Sequence, residues 1–378
     1  MSADNLVVEY HSNGKLKKEY RTKDGLIDGE YKQWFNSGQL EIQMFYVNGQ
    51  RHGESKAWCK GNSNQLRLHL YYINDKLNGE CKQWYYREDI QNNKGQLWLH
   101  IFYIDDKKHG EYKEWYYNGQ LKKEMTYIND EIHEEYKEWY DNGQLAIETT
   151  YLNGKLNGQY KKWYHEINAL SDNGSLHIQT TYKDGKLHGE LKEYYRRTDR
   201  KSDNGHLLRQ TTLIDGKWTG ECKEWYPNGK LHIKKMCIDG KLHGEYKEWY
   251  ENGHPYLQIT FTNNKIHGEY TEWYRGLDER SKNGNLRIQT TYVDNNFHGD
   301  YKEWYDHGHL RIQTTFINGQ RHGNYTKYDT NGNMYIQTAY INGQRHGEYK
   351  QWYDEYDSRY KTNQIRIQKT YINGEEVH

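Results

Sequence analysis

One short element recurs along the whole chain and constrains its fold more than any other feature. The segment HGEYKEWY at 109–116 returns unchanged at 243–250, and at 298–305 it reads HGDYKEWY. The glycine of this element, replaced once by glutamate, marks thirteen copies: Gly29, Gly53, Gly79, Gly110, Glu134, Gly158, Gly189, Gly220, Gly244, Gly268, Gly299, Gly323 and Gly347. Self-similarity at such a period predicts a repeat architecture, in which each copy is a small unit packed on the next.

The spacing of these markers predicts where the repeats differ in length. Successive markers lie 24 residues apart in seven intervals, 31 in four and 26 in one. The added residues always follow the Trp-Tyr pair, so one rim of the array is expected to carry longer loops. We predict a single array over 1–378, with a capping hairpin at 1–28 and thirteen repeats of about 24 or 31 residues over 29–378.

Each repeat has the pattern of two strands and two turns: GEYKEWY, DNG, QLxIQTTY and ING. Pro227, in the segment Tyr226 to Lys230, identifies the first turn. A two-residue hairpin would need a backbone N–H at this position, and proline has none. We therefore predict a three-residue loop, with Pro227 and Asn228 in a type I turn and Gly229 in the left-handed conformation of a G1 bulge.

This loop sets a register for the hairpin that follows Gly299. Trp304 is predicted to oppose Leu310. The face of Trp304 is also expected to carry Ile312, Thr314, Phe316, His298, Asp300 and Lys302. The other face is expected to carry Tyr301, Glu303, Tyr305, Arg311 and Gln313.

Equivalent tryptophans should align from repeat to repeat, about 9.5 Å apart for two strands of about 4.8 Å each. The predicted column is Trp34, Trp58, Trp84, Trp115, Trp139, Trp163, Trp225, Trp249, Trp273, Trp304 and Trp352, with Tyr194 and Tyr328 filling its gaps. The composition agrees with a fold built on such rings, because only 34% of residues are hydrophobic but 15% are aromatic. We expect the column to replace a conventional core.

The charge balance and the apolar pattern narrow the class of partner. Lys plus Arg equals Asp plus Glu at 53 each, so no net field draws the molecule onto nucleic acid. Alternating Lys and Glu, as at Lys247 and Glu248, are expected to form cross-strand pairs rather than to bind RNA. No signal sequence and no run of about 18 apolar residues is found, which predicts a soluble, cytoplasmic protein. The cysteines, Cys59, Cys81, Cys222 and Cys237, have no metal-binding spacing and favour a reducing compartment.

The GEYKEWYDNG element resembles the first half of a MORN repeat in length and glycine placement, and the likeness runs along essentially the whole chain. The second half departs from the ordinary pattern, since Ile312 to Phe316 stands where Tyr-x-Gly-x-Trp is expected; this is similar to the variant MORN repeats. The resemblance implies an all-β fold: an elongated, twisted, single-layer antiparallel sheet of tandem β-hairpins. It implies scaffolding, self-association, membrane attachment or antitoxin-like neutralisation of a partner enzyme as functions, and a viral source as one origin.

Motifs for catalysis or metal binding are lacking. The chain has no GxSxG, Walker loop or HExxH, so no enzyme, cofactor or metal is expected. Histidine precedes Gly-Glu at His52, His109, His188, His243, His267 and His346. Neighbouring copies would lie about 9.5 Å apart, too far to share one zinc ion, so we expect these side chains to pack on turns or, alternatively, to titrate together.

The leading hypothesis is a non-enzymatic scaffold that presents aromatic faces and a rim of long loops to protein partners. The basic loop with Arg196, Arg197, Arg200 and Lys201 is the candidate partner-binding loop; a plain solvated loop is the alternative. An antitoxin-like inhibitor of a partner enzyme is the rival function, and membrane association is disfavoured. End-to-end self-association through the open edges at 6–11 and 366–371 is a further possibility.

Overall fold

The structure is a computed structural model, and it describes residues 5–61, 64–85, 95–165, 174–196, 205–276, 284–353 and 364–377. The chain divides into two compact units, Met1–Lys186 and Leu187–His378. Every described element is a β-strand, a turn or a loop, and consecutive strands pair antiparallel as hairpins in each unit. The predicted fold class, an all-β antiparallel sheet of tandem hairpins, is confirmed. The division into a cap and thirteen repeats stays a prediction.

The strands of the first unit follow one another as hairpin after hairpin. They are β1 Asn5–Tyr10, β2 Leu16–Lys23, β3 Leu26–Trp34, β4 Leu40–Val47, β5 Gln50–Trp58, β6 Leu66–Ile73, β7 Lys76–Leu77, β8 Gly79–Trp84, β9 Leu97–Ile104, β10 Lys107–Trp115, β11 Leu121–Ile128, β12 Glu131–Trp139, β13 Leu145–Leu152, β14 Lys155–Trp163 and β15 Leu176–Lys183. The short strand β16 Lys186–Leu187 falls at the division of the chain.

The second unit is likewise a succession of hairpins, with two-residue strands at two places. Its strands are β17 Gly189–Tyr194, β18 Leu207–Ile214, β19 Lys217–Trp225, β20 Leu231–Ile238, β21 Lys241–Trp249, β22 Pro255–Thr262, β23 Lys265–Trp273, β24 Leu286–Val293, β25 Asn296–Trp304, β26 Leu310–Ile317, β27 Gln320–Arg321, β28 Gly323–Tyr328, β29 Met334–Ile341, β30 Gln344–Arg345, β31 Gly347–Trp352, β32 Ile365–Ile372 and β33 Glu375–Val377.

The loop between the two strands of a repeat has the predicted geometry. The Gly229 N–H donates to the carbonyl of Tyr226 at 2.9 Å, which closes the turn over Pro227 and Asn228. The Tyr226 N–H donates to the carbonyl of Lys230 at 2.9 Å, and Gly229 has a φ of 81°. These bonds define a three-residue loop with a G1 bulge, and they place proline where its missing N–H costs nothing.

The turn between successive repeats is shorter, and its conformation restricts which residues it can contain. Ile317 pairs with Gln320, and the two residues between them, Asn318 and Gly319, have φ values of 50° and 82°. Two positive φ values define a type I′ turn, which asparagine and glycine adopt at low cost. The Gly319 N–H also donates to the carbonyl of Phe297, in the preceding repeat, at 2.8 Å. This turn is therefore bonded to the start of the strand that leaves the turn before it.

A β-bulge in the second strand of each described hairpin changes which residues share a face. Trp304 opposes Leu310, as predicted, but Glu303 opposes Ile312, so Arg311 is the extra residue. An extra residue reverses the alternation of side chains beyond it. Thr314 consequently opposes Tyr301, and the prediction that Ile312, Thr314 and Phe316 share the face of Trp304 is wrong.

The two faces are named here by their first-strand residues. The tyrosine face carries Tyr301, Glu303, Ile312, Thr314, Phe316 and their equivalents, and the rings of Tyr301 and Phe316 lie 5.6 Å apart. The tryptophan face carries Trp304, Lys302, Asp300, Leu310, Gln313, Thr315 and their equivalents.

The most deeply buried side chains lie in the middle of the tyrosine face. Thr314 is 3% exposed, and the equivalent threonines and aliphatic residues are buried in the same way. They are Ile101, Met125, Thr149, Thr180, Thr211, Ile259, Thr290 and Thr338. The tryptophans occupy equivalent register positions, but each is only half-buried. The predicted tryptophan core is therefore wrong, because the bulge brings the tyrosine row and its partners together instead.

Cysteine replaces tyrosine in this buried row at two positions, Cys81 and Cys222. All four cysteines are buried free thiols, and burial raises the pKa of the Cys81 thiol to about 11. A protonated, enclosed thiol has little nucleophilic character, so these residues pack as small apolar side chains.

A second bulge follows each type I′ turn and explains the marker glycine. Thr290 opposes Tyr301 and Tyr292 opposes Phe297, so the chain bulges around Gly299, which has a φ of 88°. The Thr291 hydroxyl donates to the carbonyl of His298 beside it. Glu134 adopts the same conformation with a φ of 64°, although a side chain there is strained.

Candidate protein-interaction surface

A ladder of tyrosine hydroxyls joins many of the successive repeats at the loop rim. Tyr116, which follows the tryptophan of its repeat, donates to the carbonyl of Trp139 at 2.9 Å. The other bonds of the first unit are Tyr85 to Trp115 and Tyr140 to Trp163; those of the second unit are Tyr195 to Trp225, Tyr226 to Trp249, Tyr250 to Trp273, Tyr274 to Trp304 and Tyr305 to Tyr328. The base of each of these loops is thus fixed, whatever the length of the loop.

The glutamates of the tyrosine face are paired within the sheet. The Tyr301 hydroxyl donates to the Glu303 carboxylate at 3.2 Å, and Arg311 bonds the same carboxylate at 2.7 Å. Burial and the negative charge of Glu303 raise the pKa of Tyr301, so this hydroxyl stays protonated. Tyr270, Glu272 and Arg287 form the same cluster, in which Glu272 is buried. These carboxylates have partners and are poor candidates for acid-base chemistry.

The tryptophan face carries rows of lysine and glutamate that also neutralise each other. Lys247 pairs with Glu245 at 2.6 Å and Lys350 pairs with Glu348 at 2.7 Å. In each pair the two residues belong to the same strand. Lys113 adds a bond across the hairpin to Glu124, at 3.2 Å. The predicted cross-strand pairing is therefore mainly a pairing of residues two apart in the same strand. Such exposed pairs contribute roughly 0 to 1 kcal/mol each.

A row of exposed aliphatic side chains lies at the opposite rim, and we call it the aliphatic rim. It consists of the residue just before the type I′ turn: Val47, Ile73, Ile104, Ile128 and Leu152 in the first unit, and Ile214, Ile238, Val293, Ile317, Ile341 and Ile372 in the second. Their exposed fractions range from 36% at Val293 to 53% at Ile238. Lys23, Lys183 and Thr262 take this position in other repeats, so folding does not require an apolar residue there.

A cleft lined by three aromatic side chains lies in the first unit, at the loop rim. Arg67, Leu68, Gln83, Trp84, Tyr85 and Trp98 line a volume of about 510 Å³. Two other grooves, of about 360 and 240 Å³, are lined mainly by charged residues, threonine and glutamine, including Glu269 and Glu135. The aromatic cleft therefore differs in chemistry from the grooves that repeat along the sheet.

Two of the histidines that precede Gly-Glu, His52 and His188, contact turns as their predicted packing role requires. His52 Nδ1 lies 3.3 Å from the Asn74 side-chain oxygen, and His188 Nδ1 lies 3.3 Å from Asp215. Asn74 and Asp215 both begin the type I′ turn of the following repeat. Among the described residues, no group of three or more His, Cys, Asp and Glu side chains is placed to hold a metal ion. The predicted joint titration of these histidines stays a prediction.

The predicted partner-binding loop lies almost entirely outside the described residues. Arg197, Arg200 and Lys201 fall in the undescribed segment 197–204, and Arg196 is the last described residue before it. The loop therefore stays a prediction. Within the part of the chain that the structure describes, no helix has the length and apolar character needed to cross a membrane.

Comparison with known families identifies the repeat. The MORN repeat variant matches eight segments: 3–24, 27–48, 108–129, 135–153, 218–236, 242–263, 297–318 and 321–342. The segment 297–318 covers β25 and β26, so one match corresponds to one hairpin. The chain is a MORN-repeat protein. The predicted resemblance to the variant repeats is thereby confirmed.

Other comparisons say little about the function of this MORN-repeat protein. No curated protein shows recognisable sequence similarity to it. Among solved structures it is similar to "Crystal Structure of TcdB2-TccC3", with 11% identity and a TM-score of 0.17, covering 92% of this chain and 23% of that one. A second likeness is to a Photorhabdus luminescens Tc holotoxin pore, with 10% identity and a TM-score of 0.15, covering 91% of this chain and 22% of that one. The chain spans less than a quarter of either, and such TM-scores establish no shared fold.

Proposed function

We propose that this MORN-repeat protein is a non-enzymatic scaffold that binds an extended protein partner along the aliphatic rim. The observation that carries the proposal is the recurrence of an exposed branched aliphatic residue at one register position in most repeats. These side chains gain little from folding, because they stay in solvent and polar residues replace them elsewhere in the chain. A row of apolar groups about 9.5 Å apart matches a partner that lies along the sheet.

The remaining surface supports binding rather than catalysis. A catalytic site needs a few unpaired polar groups that converge in one place. The carboxylates of Glu303 and Glu272 bond neighbouring side chains, and the lysines of the tryptophan face pair with glutamates. A reducing, intracellular setting belongs to the same proposal, because all four cysteines are free thiols.

The test compares two triple variants of the first unit in quantitative affinity purification. Ile104→Thr, Ile128→Thr and Leu152→Thr together remove three adjacent members of the aliphatic rim and keep residues that strands tolerate. The matched control changes the residues paired with them, Lys107→Thr, Glu131→Thr and Lys155→Thr. We expect the first variant to recover its partner at least about tenfold less well, since burial of each side chain is worth roughly 1 kcal/mol or more. The control is expected to bind as the native chain does.

The long loops and the rival function are tested in the same experiment. A further variant shortens the five long segments, which follow Tyr85, Tyr164, Tyr195, Tyr274 and Tyr353, to three residues. If it loses the partner while the aliphatic variant keeps it, the loops and not the aliphatic rim bind, and the proposal is wrong. Recovery of a single stoichiometric enzyme whose activity the chain suppresses would favour the inhibitor over the scaffold.

A further inference from the structure

The aromatic cleft of the first unit departs from the repeat pattern in its charge. Arg67 is equivalent to Arg287 and Arg311, because each is the extra residue of the bulge in its hairpin. Arg287 bonds Glu272 at 2.5 Å and Arg311 bonds Glu303 at 2.7 Å. The residue of the Arg67 hairpin that takes the place of these glutamates is Ala57, which opposes Leu68. The usual carboxylate partner is therefore missing.

Arg67 has no substitute for this lost partner in the part of the chain that the structure describes. No hydrogen bond or ion pair to its guanidinium is found there, and the residue is exposed to solvent. The next hairpin also lacks the carboxylate, since Gln83 takes the position of Glu303. Arg67 thus presents an unneutralised planar cation in the wall of the cleft. A guanidinium in this state is suited to bidentate binding of a carboxylate.

The other wall of the cleft is aromatic and held in place. Trp98 is the extra residue of the bulge in the next hairpin, the position that Arg287 and Arg311 occupy in their own hairpins. Its side chain is 38% exposed. Its ring centroid lies 6.2 Å from that of Tyr85. The Tyr85 hydroxyl donates to the carbonyl of Trp115 at 2.7 Å, so its ring position is fixed by the tyrosine ladder. An exposed indole beside a fixed phenol is a typical anchor for an apolar or aromatic group.

We infer that this cleft binds a protein segment in which an aromatic residue stands next to a carboxylate. The aromatic ring packs on Trp98 and Tyr85, and the carboxylate accepts two hydrogen bonds from Arg67. The volume of about 510 Å³ is within the range of ligand sites and holds a large side chain together with its acidic neighbour. This site goes beyond the proposed function, because it lies at the loop rim on the tyrosine face and uses none of the aliphatic rim.

Isothermal titration calorimetry with three blocked tetrapeptides tests the inference on the full chain. Acetyl-Asp-Phe-Asp-Phe-amide carries both features; acetyl-Asn-Phe-Asn-Phe-amide lacks the charge, and acetyl-Asp-Ala-Asp-Ala-amide lacks the rings. We expect saturable binding of the first peptide and about tenfold weaker binding of the other two, since a bidentate pair and an aromatic contact each contribute on this scale. Equal binding of the charged and neutral peptides, or no saturable binding of any, would overturn the inference.

Substitutions then assign the effect to the cleft. Arg67→Gln is expected to weaken the acidic peptide about tenfold and to leave the neutral one unchanged, whereas Trp98→Ala should weaken both. Arg287→Gln, the same change where the arginine is paired with Glu272, serves as the control and should leave peptide binding unchanged. A uridylate trinucleotide that binds in an Arg67-dependent way while the peptides do not would assign the cleft to nucleic acid and overturn the inference. The aliphatic-rim variant should bind the acidic peptide normally, which separates this test from that of the proposed function.

Discussion

The connections at the two rims of the repeat differ in how much their length varies. At the loop rim, segments of several lengths follow the Trp-Tyr pair, and the markers accordingly lie 24, 26 or 31 residues apart. At the opposite rim, called the turn rim because the type I′ turns lie there, the connection between repeats has two residues, as in Asn318-Gly319. At the loop rim the Tyr305 hydroxyl, at the base of the loop, bonds the next repeat, and loop residues such as His307 add further bonds. At the turn rim the bond comes from the Gly319 N–H, within the turn itself. The length of the connection therefore varies at the rim where one bond between repeats, that of Tyr305, lies outside the connection.

Insertion of the same seven residues at each rim tests this difference most severely. The sequence Ser-Gly-Ser-Gly-Ser-Gly-Ser placed between Asp306 and His307 should lower the free energy of unfolding by about 1 to 2 kcal/mol, from the entropic cost of a longer loop and the loss of the exposed bonds that Asp306 and His307 make to adjacent repeats. Placed between Asn318 and Gly319, it should cost roughly 3 kcal/mol, because the turn and its bond to Phe297 are also lost. Urea denaturation of both variants measures the difference; equal losses would break the comparison.

The bulge that follows the turn should tolerate substitutions as poorly as the turn itself tolerates insertions. Gly299→Ala is expected to lower stability by about 2 kcal/mol, since φ is 88° and a Cβ would lie 2.7 Å from the Thr291 hydroxyl oxygen. Gly347→Ala is the control: its φ is 85°, but nothing lies within 4 Å of the added atom, so about 1 kcal/mol is expected. Thermal unfolding checks both variants, and a larger loss at Gly347 would contradict the steric reason.

The loop rim should depend on the tyrosine ladder beneath it. Tyr116→Phe removes the hydroxyl that donates to the Trp139 carbonyl and should lower the free energy of unfolding by about 1 kcal/mol. The neighbouring Tyr117 is exposed and its hydroxyl makes no hydrogen bond among the described residues, so Tyr117→Phe should change stability little. Parallel urea curves of the two variants give the answer; indistinguishable midpoints would mean that the ladder does not hold the repeats.

The one repeat without a marker glycine gives the smallest expected effect, and a gain. Glu134 has a φ of 64°, and its replacement by glycine removes the left-handed strain but increases the freedom of the unfolded chain. We expect Glu134→Gly to raise stability by about 0.5 kcal/mol in calorimetry, with Glu135→Gly, in ordinary strand conformation, losing about 1 kcal/mol. A loss from Glu134→Gly would show that the carboxylate has a stabilising contact.

The fold was predictable from sequence wherever the signal is local. Pro227, Asn228 and Gly229 define the loop by the φ values and N–H groups that they offer, and the pairing of Trp304 with Leu310 follows from it. The bulge at Arg311 has no such signal, because arginine in the middle of a strand looks like any other strand residue. Sequence reasoning therefore placed Ile312 and Thr314 on the wrong face and chose the tryptophans as the core.

The aromatic cleft was missed for a related reason. Its distinguishing feature is Ala57 in the place of glutamate, and this position can be compared with the others only when the bulged register is known. One signal was present in the sequence: Trp98 follows leucine where other repeats carry residues such as Lys122 and Arg311. The basic loop was chosen for its charge density alone, and Arg197, Arg200 and Lys201 lie outside the described residues.

The tyrosine ladder also bears on how such a chain changes in evolution. Each tyrosine hydroxyl of the ladder donates to a main-chain carbonyl, which any residue supplies. Tyr305 bonds the carbonyl of Tyr328, whereas the other tyrosines, such as Tyr274, bond the carbonyl of a tryptophan. A gene segment that encodes one hairpin can therefore be duplicated or deleted by recombination, and the newly adjacent hairpins join without compensating mutations. The number of repeats, and with it the span of the binding surface, is free to vary under selection.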